Sequence, residues 1–181
     1  MIAEHSIFEV MAREAGRESP LWTAALRPRD EWEPELVFSE LGEDRYALAI
    51  ESIYEGYLLH YAHPRLFAPA DPNTAVLLGD YLYAHGLVRL AAHGNVTAVA
   101  DLAELISLCT HLRAERVAPD ADWAVWAATS ALLGAGDPEL EHARAALRLD
   151  WDAGPLRRLA ADVAGPESLE RALEAHRRRV Q

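Results

Sequence analysis

The chain of 181 residues carries a net charge of −12, with 51% hydrophobic and 25% charged residues, a composition that suits one globular domain and excludes an intrinsically disordered chain. Its 17 basic residues are all arginine, so lysine cannot serve as nucleophile, Schiff base or phosphate ligand, and the acidic balance repels nucleic acid. Cys109 is the single cysteine, which excludes an intrachain disulfide and a thiolate metal cluster.

Met1–Val10 carries Glu4 and Glu9 and no basic cluster, and does not read as a signal peptide. No apolar run approaches the ~20 residues of a membrane span, so a cytoplasmic location is the expectation. A first helix is expected over His5–Ala15. The stretch from Glu18 to Glu43 carries Pro20, Pro28 and Pro34 and reads as an irregular arm with one short helix near Leu36–Leu41. The chain thus divides into an N-terminal helix and arm, residues 1–43, and a helical bundle domain, residues 44–181. The five tryptophans read as core or interface residues, with Trp22 and Trp32 on the arm as the interface pair.

A helix is expected from Asp44 to about Tyr61, where Tyr46, Ile50, Ile53, Tyr57 and Tyr61 recur at helical spacing and Pro64 ends it. Asp71-Pro72 reads as an N-cap followed by proline in the first turn. The helix it opens, to about Ala92, is apolar almost all round, which places it in the middle of the bundle. Gly94-Asn95 closes that helix and caps the next, Val96 to about Val117. Further helices are expected over Ala121–Leu133, from Asp137-Pro138 to about Leu149, and near Pro155–Val163 and Pro166–Arg179. Short connections between long apolar helices imply an all-α, antiparallel bundle.

Several residues sit awkwardly in a plain bundle. Gly79 and Gly86 share a face and would let a neighbouring helix approach closely, whereas Asp80 in so apolar a helix would be buried and would need a partner. Glu51, Glu55, His60, His63 and His85 form the cluster that could carry chemistry. Within it, Glu55, His60 and His63 are the alternative metal set, since histidine and carboxylate at helical spacing can bind an ion. A di-iron bundle needs two Glu-x-x-His motifs, and only Glu139–His142 has that spacing, on a polar face. Glu104, His111 and Glu115 read as a solvated face. Arg177, Arg178 and Arg179 read as favourable charges at a helix C-terminus.

The stretch Ala49–His60 resembles the helix leading to the first aspartate-rich motif of trans-polyprenyl diphosphate synthases. Thr74-Ala-Val-Leu-Leu-Gly-Asp-Tyr-Leu-Tyr-Ala84 is similar to that family's "AVLxGDYLLA" helix, and Trp126–Gly136 is a fainter echo of a later one. Where family enzymes read His-Asp-Asp-x-x-Asp, this chain reads His60-Tyr61-Ala62-His63-Pro64-Arg65. All three aspartates are gone, and Asp150 and Asp152 do not match a second motif.

The resemblance implies an isoprenoid-synthase-like, truncated bundle. It also implies that this chain makes no prenyl transfer alone, because the Mg²⁺ ions that neutralise a departing diphosphate need facing carboxylates. The chain resembles the non-catalytic small subunits of heteromeric hexaprenyl and heptaprenyl diphosphate synthases in length, helical content and a Gly-Asp-Tyr segment. By that likeness the partner is a catalytic synthase subunit, which would hold the Mg²⁺, or a second copy of this chain. An isoprenoid ligand would meet Tyr57, Tyr61, Asp80, Tyr81 and His85, with Leu82 and Val88 beside them. The alternative is a divergent enzyme or apolar-ligand-binding protein using His60 and His63. No nucleic acid and no cofactor of its own are expected.

Overall fold

The computed structural model describes residues 4–116 and 121–180. Among these the chain is all-α: α1 Glu4–Glu18, α2 Pro20–Ala25, α3 Ala47–Tyr61, α4 Pro72–Ala92, α5 Val96–Glu115, α6 Asp122–Ala131, α7 Pro138–Asp150, α8 Gly154–Ala164 and α9 Pro166–Val180, with single 3-10 turns at Arg29–Glu31, Ser39–Leu41 and Asp44–Tyr46. Met1–Ala3 and the expected helix end at Val117 lie outside the described residues. Among the described residues the one extended pairing is an isolated antiparallel bridge between Leu26 and Phe67.

The helix boundaries follow local chemistry. Asp71 accepts from the Thr74 amide at 3.0 Å, Asn95 from the Ala98 amide at 3.1 Å and Asp137 from the Glu139 amide at 2.9 Å. Each satisfies an amide that the first helical turn would otherwise leave without a partner. Pro72 and Pro138 follow their caps in the first turn, where a missing N–H costs nothing.

The central helix is α3, not α4. Ala47 and every residue from Ala49 to Leu59 are buried. The apolar character of α4 is instead partly turned outward, with Val76, Leu77 and Val88 47%, 57% and 66% exposed. Glycines bring these two helices together. A Cβ at Gly56 would lie 2.9 Å from the Gly79 oxygen, and one at Gly86 would lie 2.5 Å from Ile53 and 3.1 Å from the Ala49 oxygen. The order of these contacts makes α3 and α4 antiparallel, and the expected close approach at Gly79 and Gly86 is present.

Contacts of Tyr46 with Asn95 and of Tyr61 with Thr110 set α5 parallel to α3. The return helix α6 is antiparallel to α5: Arg113 meets Asp122 at one end, and the Gly134 amide donates to Asp101 at the other. Helix α7 is then fixed on α5 by buried Arg144, which binds Asp101 and Thr129.

The arm is drawn into the same body. Val37, Phe38 and Leu41 belong to the main core, and α1 and Ala25 build a second cluster with Leu59, Leu66, Phe67, Leu78 and Leu82. Trp22 and Trp32 pack on this second cluster, and the Trp32 indole donates to the Arg27 carbonyl at 2.9 Å. Residues 25–33 and 65–68 exchange backbone bonds, including Ala68 N to Ala25 O at 2.7 Å and Arg27 N to Leu66 O at 3.0 Å. The arginines at the end of α9 complete the clasp: Arg179 binds Glu33 and Glu35, and Arg178 binds Glu35. They hold the arm as well as complementing the helix end.

Candidate functional site

The candidate residues separate into three places. Glu51 and Glu55, a turn apart on α3, are both fully buried around the equally buried Arg65. The Arg65 Nη1 donates to Glu51 at 2.5 Å and to the Glu35 carbonyl at 2.7 Å, and its Nε donates to Glu55 at 2.9 Å. The remaining carboxylate oxygens accept from backbone: Glu51 from the Val37 and Ser39 amides at 3.0 and 3.1 Å, Glu55 from the Leu66 amide at 2.8 Å. Phe8 and Tyr54 cover the guanidinium, each with its ring centre 4.9 Å away. Burial opposes the Arg65 charge, but the two glutamates outweigh it and hold the guanidinium above the ordinary arginine range. Both glutamates are thus committed to Arg65 and to backbone amides, sealed away from solvent.

The second place lies on the α3–α4 seam. Asp80 is 65% exposed, not buried, and lies 3.2 Å from His60 Nε2. Helix register turns it outward while Gly79 faces α3. His60 stacks on Tyr83 and covers Gly79, where a Cβ would come within 2.6 Å of its ring nitrogen. His63 is exposed, and its backbone amide donates to Arg179 O at 3.0 Å. Tyr81 and His85 stack on each other on the α1 side of α4, where Tyr81 meets Trp22 and His85 and Arg89 meet Glu14. Glu55, His60 and His63 therefore do not converge. Among the described residues no group of three His, Cys, Asp or Glu side chains is placed to share an ion.

The third place is the polar heart of the bundle, and most of it was not read from the sequence. Asp122, at the start of α6, accepts from the Tyr57 hydroxyl and from Arg113 Nη2, and Arg113 Nη2 also lies 2.5 Å from the Tyr57 oxygen. His176 of α9 bonds the Tyr54 hydroxyl through Nδ1 at 2.9 Å, and its Nε2 lies 3.9 Å from Asp122. Tyr54, Tyr57, Trp126, Phe38 and His176 pack ring against ring, with centroids 5.1 to 6.1 Å apart. Tyr61, partly buried, continues this line toward the surface through Arg113 and Thr110. Of the expected ligand set only Tyr57 and Tyr61 meet here.

Burial, then the Asp122 charge, pushes the Tyr57 phenol far above its usual range, and burial does the same to Tyr54 and Tyr83. The buried Cys109 thiol is likewise pushed up and is inert as a nucleophile. The arrangement is suited to fixing α3, α6 and α9 in one geometry. Because the native state retains three phenolic protons that an unfolded chain loses near pH 10, stability falls as pH rises through that point. In an alkaline titration followed at 295 nm, Tyr54, Tyr57 and Tyr83 should stay protonated past pH 11 until the bundle unfolds. Early ionisation of all six tyrosines in a folded protein would contradict this.

Comparison with protein-family models, with curated proteins and with solved structures finds no significant match.

Two smaller features lie outside these three places. A cleft of about 400 Å³ between α7 and α8 contains the one Glu-x-x-His pair, with Glu139 and His142 3.5 Å apart and both exposed. The face expected to be solvated on α5 is partly covered: His111 stacks on Trp151 and Glu104 pairs with Arg148. No helix is long and apolar enough to cross a membrane among the described residues.

Proposed function

We propose that this chain is a non-catalytic subunit, or homologue, of a polyprenyl diphosphate synthase. The observation that carries the reading is Arg65. By the likeness to His-Asp-Asp-x-x-Asp it stands at the last aspartate of the motif. Its side chain turns inward, fully buried, onto Glu51 and Glu55. A synthase needs carboxylates free to hold Mg²⁺ against a departing diphosphate. Here an arginine occupies the position and consumes the neighbouring acids. The rings of Phe38, Tyr54, Tyr57 and Trp126 fill the space along α3, so the isoprenoid chain belongs to the partner, as do the Mg²⁺ ions. A cytoplasmic location goes with this reading.

The test is reconstitution. Alone, the purified protein should condense no isoprenoid diphosphates in magnesium buffer. Mixed with the aspartate-bearing synthase of the same organism, it should co-elute and either raise the activity or change the product length. Turnover by the isolated chain, or failure to form a complex with any such synthase, overturns the reading.

A further inference from the structure

We draw no further inference here: the strongest candidate, the exposed apolar face of α4 at Leu77, Ala84 and Val88, carries nothing because nothing in the structure shows what covers it.

Discussion

Replacing Arg65 with Met should cost about 4 kcal/mol of folding stability, a large part of the 5–15 kcal/mol that a domain holds in reserve. The size follows from what is left behind. Methionine fills much of the volume and keeps the contacts with Phe8 and Tyr54, so the cavity term is small. What remains is two carboxylates at full burial, each deprived of its cation. Their backbone donors, the Val37, Ser39 and Leu66 amides, stay in place but do not neutralise charge. The deficit, measured by denaturant unfolding, should shrink as pH is lowered. Acid supplies the protons that neutralise the orphaned carboxylates in the folded state, so the native variant binds more protons than its unfolded chain, and its stability falls as pH rises. Replacing Glu51, Glu55 and Arg65 together with apolar residues should be milder than Arg65→Met alone, because no unpaired charge remains. A single variant within about 1 kcal/mol of wild type at neutral pH would show that the three groups are not the buried, closed network described.

The features that were legible in the sequence are local ones. Asp71-Pro72, Asn95 and Asp137-Pro138 announce helix starts because a cap and its amide lie within three residues of each other, and each works as expected. Gly79 and Gly86 announce close packing because glycine inside an apolar helix needs a reason. The features that were not legible depend on distant partners. Tyr54 and His176 are 122 residues apart, Tyr57 and Asp122 are 65 apart, and Arg144 and Asp101 are 43 apart. None of these pairs leaves a periodic trace.

Three further misreadings show what helical periodicity leaves open. Helices α3 and α4 are both apolar on most sides, and periodicity alone does not say which of the two is central. The glutamates of α3 read as chemistry because no cation stands at helical spacing from them. Their cation, Arg65, arrives only after Pro64 has turned the chain back. Asp80 misled in the opposite direction: its apolar neighbours suggested burial, while helix register turns it to solvent.

Gly56→Ala should destabilise the fold by about 2 kcal/mol, against the ordinary helix preference. Alanine in a helix interior is favoured over glycine by about 1 kcal/mol, so an unconstrained position would gain. At Gly56 the added Cβ would sit 2.9 Å from the Gly79 carbonyl oxygen and 2.9 Å from the Tyr83 ring. The oxygen belongs to the backbone of α4 and cannot rotate away, so the helices must separate. Overpacking of this kind costs roughly 1–3 kcal/mol, and here it also loosens Gly79 against His60 and Gly86 against Ile53, the other contacts of the same seam. Gly16→Ala on α1 is the control. There the added carbon would lie 3.2 Å from the Thr23 hydroxyl oxygen, the end of a side chain that can rotate, so the change should be neutral or stabilising by up to about 1 kcal/mol. Thermal and urea unfolding should therefore show Gly56→Ala less stable than wild type and Gly16→Ala as stable or more so. If Gly56→Ala stabilises the protein as much as Gly16→Ala does, α3 and α4 are not in backbone contact, and the register that places Arg65 and His60 loses its anchor.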